Sequence, residues 1–219
     1  AADALMYSGR QKLQMGEPAE AKRTLERSIA LDFAPRQTYY LLATAHLQLD
    51  EKEEALENLE KCLTRFVDEN TYLVYADVAT NLGRYDEAQQ AIDFLLSTHP
   101  KPEIDQRARY VQATIAVRLR DYSGAERILL ALIDDAPRFE LASIALGNLY
   151  QAQGRTAEAR AAYERALELI ERQLNRAEKR LSGRTEFTVQ EYGELSHAVR
   201  TLRSERSFVL EQLDRLPNN

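Results

Sequence analysis

The chain contains 219 residues, of which 44% are hydrophobic and 29% are charged, and this balance excludes an intrinsically disordered chain. Lysine and arginine number 29 against 35 for aspartate and glutamate, and the formal charge of -6 excludes nucleic acid as a partner, because its recognition needs a positive face. An anionic membrane surface is disfavoured for the same reason. The longest apolar stretches, such as residues 128–133, are too short for direct membrane insertion by this segment. Since composition does not shift abruptly, one elongated domain is expected.

Histidine and cysteine show no arrangement that binds a metal or supports catalysis. Cys62 is the only cysteine, which excludes an intramolecular disulfide and a thiolate metal cluster. His46, His99 and His197 are scattered over separate predicted elements, without a metal-ligand spacing. A phosphate-cradling glycine loop and a nucleophile turn are also missing from the sequence. We therefore predict no enzyme, no cofactor and no metal site, with His46 and Cys62 as packed core residues.

The sequence repeats an alanine that is followed four positions later by a larger apolar residue. Successive alanines lie 34, 33, 37 and 34 residues apart, and a second column of small residues lies 12 positions before each alanine. Small residues let one helix approach the next closely, while the larger residue covers the contact. The pairs are Ala21/Leu25, Ala55/Leu59, Ala88/Ile92, Ala125/Leu129 and Ala159/Tyr163, and the second column is Gly9, Ala43, Ala76, Ala113 and Gly147.

A third column, five residues before each alanine, falls where each first helix must end in a turn. Glycine takes the left-handed conformation of such turns without strain and aspartate tolerates it. Arginine meets a steric cost there, so the fourth turn is expected to differ from the others. The column reads Gly16, Asp50, Gly83, Arg120 and Gly154.

Helix starts and stops follow from proline and acidic residues. Pro18 suits the first turn of its helix, and Asp50 with Glu53 predicts a capping box. The 37-residue spacing places about three extra residues around residues 100–102, which predicts a longer link between the third and fourth pairs. Pro35, Pro100 and Pro137 are predicted to stop second helices. The predicted pairs are 3–14 with 18–31, 36–48 with 52–66, 69–81 with 86–98, 102–119 with 122–135, and 138–152 with 156–181.

These residues resemble the tetratricopeptide repeat family, most clearly in Leu146-Gly147-x2-Tyr150-x3-Gly154-x4-Ala159-x3-Tyr163-x2-Ala166. The resemblance covers residues 2–171 and implies an all-α fold, a right-handed superhelical solenoid of about five helix-turn-helix pairs. A C-terminal helical hairpin or cap is expected to follow these repeats. Departures from the family pattern affect packing rather than fold. They are Leu95 and Leu132 at usually small positions, and Arg109 and Ser143 at usually bulky apolar ones. The expected repeats are 2–35, 36–68, 69–101, 106–139 and 140–171, which make up a region of residues 1–171.

Residues 157–219 are predicted to form an extended last repeat helix and a C-terminal capping helix. Apolar residues alternate at steps of three and four in both helices, and only Arg206 interrupts the second series. Two such seams form either an antiparallel hairpin that caps the repeats or a homodimer through residues 167–216. Phe208 and Leu210 lie off the seam and keep the second alternative open. The seams are Leu167, Ile170, Leu174, Ala177 and Leu181, then Tyr192, Leu195, Val199, Leu202, Arg206, Val209, Leu213 and Leu216.

The resemblance implies that the first helix of each pair lines a concave groove for a protein or peptide partner. Amide and tyrosine side chains there suit an extended chain, because amides bond both donors and acceptors of a backbone. The alternative is a solvated helix face with incidental tyrosines. Related chaperone-tail receptors bind a terminal carboxylate with a clamp of paired lysine and asparagine side chains. That clamp is missing here, because the corresponding positions hold Met6, Arg10, Leu41, Thr44, Asn70 and Val74. The predicted partner-binding residues are Arg10, Gln37, Tyr40, Thr44, Asn70, Asp77, Arg107, Tyr110, Thr114 and Asn148.

Arginine exceeds lysine by 23 to 6, a bias that resembles proteins of GC-rich bacteria. Bacterial proteins of this appearance serve envelope assembly machines for pili, secretion or exopolysaccharide, and a scaffold role in such a machine is expected. The alternative function is a homo-oligomerising structural protein that uses the C-terminal hairpin. The expected location is the cytoplasm, with a membrane tether on a segment before residue 1; the periplasm is the alternative.

Overall fold

The computed structural model describes residues 1–31, 36–64, 68–183 and 188–217. Regular structure in these ranges consists of eleven helices without a strand, which confirms the predicted all-α fold. None of the described helices combines the length and the apolar character that crossing a membrane requires. The helices are α1 (Ala2–Gln14), α2 (Pro18–Ile29), α3 (Arg36–Gln48), α4 (Lys52–Leu63), α5 (Glu69–Asn81), α6 (Tyr85–Ser97), α7 (Pro102–Arg118), α8 (Tyr122–Asp135), α9 (Glu140–Ala152), α10 (Thr156–Gly183) and α11 (Val189–Arg215).

Helices that follow each other in the chain pack together. From α1 to α6 each helix contacts the next, and the same holds from α8 to α11; α1 also contacts α3. The chain divides into two compact units, residues 1–115 and 116–219, and the division falls inside α7.

The repeated alanines lie at the centre of the helix contacts, as their spacing predicts. Ala21, Ala55, Ala88, Ala125 and Ala159 are all fully buried. A Cβ atom added at Gly9 would lie 2.6 Å from Leu25 Cδ2, and one added at Gly147 would lie 2.6 Å from Tyr163 Cε1. The small column therefore does let the two helices of a pair approach closely, and the larger residue of the pattern fills the contact.

All five turn positions adopt the left-handed conformation, so the expectation that the fourth turn would differ is wrong. Arg120 has a φ of 64°, against 61° at Asp50 and 72° at Gly154. The residue after each turn position donates its backbone N–H to the carbonyl five residues earlier, at 2.8 Å for Asp121 to Ala116. This bond closes the helix end in every turn, and it holds Arg120 in the conformation that glycine takes elsewhere.

The capping box predicted at Asp50 and Glu53 is absent. Asp50 occupies the left-handed turn, the N-cap residue of α4 is Glu51, and no side chain caps the helix. The Asp50 carboxylate instead lies 3.0 Å from Lys52 Nζ. A residue cannot serve both the left-handed end of one helix and the extended N-cap of the next, and the turn prevails here.

The extra residues of the fourth repeat lengthen a helix rather than a link, so that expectation is also wrong. Helix α7 has 17 residues, whereas α5 has 13. Pro102 starts α7, since proline fits the first helical position, and Pro18 starts α2 in the same way. His99 adopts a φ of 52° between α6 and Pro100, a left-handed residue that sequence reasoning missed. Pro35 lies outside the described residues.

The four residues that depart from the family pattern have different environments in the structure. Leu95 and Leu132 are fully buried, although the family has small residues there. Arg109 forms an ion pair with Asp105, with Nη2 2.7 Å from Oδ2. Ser143 is buried, and its hydroxyl has no hydrogen-bond partner among the described residues.

Helices α10 and α11 pack against each other as the predicted seams require. Two members of the predicted second seam are nevertheless exposed rather than buried. Tyr192 is 57% exposed, and the exposed Arg206 pairs with α10 at its surface, with Nε 3.3 Å from Glu171 Oε1. The polar residues that α11 buries are Gln212 and, in part, Glu205. The buried face of α11 thus runs through Glu205 rather than Arg206 between Leu202 and Val209, while the predicted seam holds at its other buried positions. Its buried apolar residues are Val199, Leu202, Val209 and Leu216.

Candidate partner-binding groove

A cavity of about 570 Å³ in the first unit brings together residues from α1, α3 and α5. Its size falls within the range that ligand-binding clefts occupy. Amides, hydroxyls, a carboxylate and a guanidinium share its lining with Leu13 and Leu41. Five predicted partner-binding residues line it: Arg10, Gln37, Tyr40, Thr44 and Asn70.

Hydrogen bonds connect the lining residues to each other and to the backbone of their own helices. Arg10 Nη2 donates to Gln37 Oε1 at 3.0 Å, which joins α1 to α3. Thr44 Oγ1 donates to the Tyr40 carbonyl one turn earlier at 2.9 Å. Burial raises the pKa of the half-buried Tyr40, so its hydroxyl is neutral at physiological pH and both donates and accepts hydrogen bonds.

The remaining lining residues are Gln14, Gln48, Cys62, Asp68 and Thr71, of which sequence reasoning missed the last three. Asp68 caps α5, where its carboxylate accepts hydrogen bonds from the backbone N–H and the hydroxyl of Thr71. The hydroxyl oxygen of Thr71 lies 3.9 Å from Cys62 Sγ, and Cys62 is buried as predicted. An N-cap signal at Asp68 was readable from the sequence, but its approach to a cysteine on α4 depends on helix packing.

Two further predicted residues, Asp77 on α5 and Arg107 on α7, interact electrostatically with each other, and Arg107 also acts on Tyr40. Asp77 is two helical turns beyond Asn70 and therefore shares its face of α5. The positive charge of Arg107 lowers the pKa of both Tyr40 and Asp77, although burial outweighs it in each case. We call the cavity lining together with Asp77, Arg107 and Tyr110 the groove.

Tyr110 and Thr114 continue the face of α7. Tyr110 packs in part against the hydrophobic core of the first unit, and its carbonyl accepts a hydrogen bond from Thr114 Oγ1 at 3.0 Å. The Thr114 hydroxyl is therefore engaged with its own helix, in the same way as that of Thr44.

Asn148 belongs to the second unit and does not line the cavity. The hydroxyl of Tyr163 lies 2.7 Å from Asn148 Oδ1 and 2.9 Å from Gln151 Oε1. Burial raises the pKa of Tyr163 to about 12, so the hydroxyl keeps its one proton, which these two amide oxygens share as acceptors. The Asn148 side chain thus has a structural contact in α9 and α10.

His46 is a packed histidine, as predicted. It is buried, and its Nδ1 lies 2.6 Å from Glu51 Oε2, which also pairs with Lys22 Nζ at 2.7 Å. These contacts join α2, α3 and the start of α4. Across residues 1–31, 36–64, 68–183 and 188–217, no group of three or more histidine, cysteine or acidic side chains is arranged to hold a metal ion.

Sequence models described as tetratricopeptide repeat match residues 3–31, 37–65, 75–138 and 110–173. The chain belongs to the tetratricopeptide repeat family. The matches confirm the resemblance inferred from the alanine and glycine columns. Membership of this family supports a protein–protein interaction scaffold.

Solved tetratricopeptide repeat structures share this fold at low sequence identity. One from Parabacteroides merdae is 20% identical with a TM-score of 0.70, and the match covers 97% of this chain and 83% of that one. A thermophilic one from Thermus thermophilus is 20% identical with a TM-score of 0.63, covering 96% and 100%. YrrB, described as having an unusual peptide-binding site, is 16% identical with a TM-score of 0.61, covering 77% and 86%. A search of curated proteins finds no match.

Proposed function

We propose that this protein is an interaction scaffold that binds an extended segment of a partner protein in the groove. The observation that carries the proposal is the cavity of about 570 Å³ in the first unit, where side chains of three first helices converge. An extended segment fits because it presents backbone donors and acceptors along its whole length.

The chemistry of the lining supports an extended backbone as the ligand. Gln48 and Asn70 are exposed amides of the lining, and each offers both a donor and an acceptor. Tyr40 adds apolar contact area on a side chain with only two rotatable bonds, which keeps the entropic cost of binding low. The YrrB likeness is consistent with peptide binding on this fold.

Replacing the two exposed amides tests the proposal. Gln48→Ala with Asn70→Ala should weaken binding of peptides selected on the wild-type protein from a displayed random library by at least tenfold, since two double-sided hydrogen-bonding groups are lost. Fluorescence polarisation measures the affinity. Gln11→Ala with Gln90→Ala is the matched control, because both amides are exposed and lie outside the lining. Equal affinity of both double variants for the selected peptides would refute the groove.

The tyrosines give a second route to the same test. Tyr40→Ala with Tyr110→Ala should abolish peptide capture. Both rings pack partly against the core of the first unit, so binding is compared well below the melting temperature of the variant. Unchanged capture by this variant would count against the proposal.

The same scaffold is proposed to serve a bacterial envelope assembly machine, from the cytoplasmic side and with a membrane tether outside this chain. The excess of arginine over lysine, 23 to 6, supports a bacterial source. Cell fractionation with an antibody against the chain tests the location, and recovery in the periplasmic fraction would favour the alternative. Recovery with cytoplasmic membranes is the expected result.

A second candidate function is self-association through the hairpin of α10 and α11, residues 167–216. Tyr192 and Phe208 favour it, since these aromatic side chains of α11 are 57% and 40% exposed. Light scattering of the chain should then give the mass of a dimer, and deletion of residues 185–219 should give a monomer. The candidate is removed if the full chain is already monomeric.

A further inference from the structure

Asp77 lies on α5, on the same face as Asn70. Among the described residues, no side chain donates a hydrogen bond to the Asp77 carboxylate or forms an ion pair with it. The neighbouring acidic residues differ in this respect. Asp68 accepts hydrogen bonds from Thr71, and Asp105 pairs with Arg109 at 2.7 Å.

Asp77 is open to solvent, yet protein atoms surround much of its carboxylate. Burial raises the pKa of Asp77, and the more distant positive charge of Arg107 lowers it only in part. The carboxylate has therefore lost part of its hydration without gaining a counter-ion. A cation that arrived with a ligand would restore the lost stabilisation.

The net charge of the chain favours the same sign of ligand. Residues 1–115 contain 13 lysines and arginines against 19 aspartates and glutamates, whereas residues 116–219 contain 16 of each. The whole formal charge of -6 therefore belongs to the unit that holds the groove. Such a field attracts a basic segment and repels an acidic one.

We propose that the segment bound in the groove carries a lysine or arginine whose cation pairs with Asp77. The inference rests on the proposed function and names the chemistry of its partner. The pairing also defines how far the basic residue of the segment lies from the part of the segment that contacts Asn70. Asp77 follows Asn70 by seven residues on α5, which separates them by about 10 Å, and an extended segment covers this distance in about three residues.

A displayed library of random dodecapeptides, selected on the full chain, provides the probe. Enriched sequences should carry lysine or arginine at one position. For a synthetic peptide of that sequence, Asp77→Asn should weaken binding by about tenfold in fluorescence polarisation, because the pair is partly desolvated. Asp93→Asn is the matched control on α6, where the side chain is exposed and outside the groove.

Reversing the charge on both the peptide and Asp77 tests whether the change in affinity comes from the ion pair itself. A peptide with glutamate in place of the selected basic residue should bind the wild-type chain weakly and should recover affinity for Asp77→Lys. Enrichment of acidic residues, or equal affinity of wild type and Asp77→Asn, would overturn the inference. Circular dichroism melting checks that the nearly isosteric Asp77→Asn variant is folded, and a melting curve like that of the wild type is expected.

The outcomes separate this inference from the proposed function. Selected peptides that lose affinity with Gln48→Ala and Asn70→Ala but not with Asp77→Asn leave the groove standing and overturn the pairing. Peptides that are insensitive to all three substitutions refute the groove and the pairing together.

Discussion

Arg120 is the only arginine among the five turn positions, and it adopts the left-handed conformation without the freedom of glycine. Its φ of 64° carries a steric cost of about 1–2 kcal/mol relative to glycine, of which part is offset by the larger unfolded-state entropy of glycine. We expect Arg120→Gly to raise the free energy of unfolding by about 0.5–1 kcal/mol. Urea denaturation followed by circular dichroism measures the change.

The control for Arg120 is the reverse substitution at an equivalent turn. Gly154 has a φ of 72° and nothing within 4 Å of an added Cβ, so Gly154→Ala isolates the backbone cost and should destabilise the chain. If Arg120→Gly left stability unchanged or lowered it, the left-handed strain assigned to that turn would be wrong.

Gly147 is required by packing rather than by backbone conformation. Its added Cβ would lie 2.6 Å from the fully buried ring of Tyr163, whereas one at Gly193 would meet nothing within 4 Å. Gly147→Ala should therefore lower the melting temperature, with an overpacking cost of about 1–3 kcal/mol. Gly193→Ala should raise stability by about 0.5–1 kcal/mol, because alanine is the better helix former. Thermal melts that moved in the same direction would contradict this distinction.

Among the helices, α11 carries a buried group that makes the hairpin sensitive to pH. Glu205 Oε2 is buried and has no hydrogen-bond partner within the described ranges. Burial, with a smaller contribution from the Glu140 carboxylate at the start of α9, raises the pKa of Glu205 to about 7. On α10, the Gln173 amide donates to Glu140 and not to Glu205.

The sign of the pH effect follows from the raised pKa. Between pH 4.5 and about 7 the unfolded chain releases the Glu205 proton while the folded hairpin retains it. The contribution of Glu205 to the free energy of unfolding therefore falls as pH rises through this window and stays low above it. We expect the melting temperature of Glu205→Gln to exceed that of the wild type by a margin that grows from pH 5 to pH 8.

Glu140→Gln provides the companion measurement. Removing the neighbouring negative charge should lower the pKa of Glu205 and shift the wild-type pH dependence toward lower pH. A pH-independent difference between Glu205→Gln and wild type would show that Glu205 does not titrate in this window.

For the whole molecule, the uneven distribution of charge predicts salt-sensitive association. Residues 1–115 hold the entire excess of acidic side chains, so a basic peptide should be steered toward them. Raising sodium chloride from 50 to 500 mM should slow association by about tenfold and change dissociation less, because screening shortens the reach of the field. Stopped-flow fluorescence gives both rates. A salt-independent association rate would contradict steering.

Helix positions were largely predictable because the repeat columns set the register of both helices in each pair. The predicted spans 36–48, 69–81 and 122–135 coincide with α3, α5 and α8. Local signals failed where two roles competed for one residue, as at Asp50, and where the extra residues of the fourth repeat lengthened α7 instead of the link before it. Arg206 and Glu205 show a related limit, since spacing alone does not define how far a long helix is rotated against its neighbour.

The candidate site was predictable to a lesser degree. The family resemblance pointed to Arg10, Tyr40 and Asn70, and these residues do line one cavity. It also suggested Asn148, whose amide contacts Tyr163 in the second unit. Whether a polar side chain of a first helix is free for a partner depends on side chains from other helices, and those contacts are not encoded in spacing.

The sequence by itself determined the family, the all-α class and the tight helix pairs, because glycine and alanine at fixed intervals are a local requirement of close helix contact. The tertiary structure decided what the columns could not. Packing placed Cys62 and Thr71 in the lining of the groove and held Arg120 in a left-handed turn. It also left the Asp77 carboxylate without a hydrogen bond or ion pair to any side chain that the structure describes. Each of these depends on atoms that meet only after the helices have assembled.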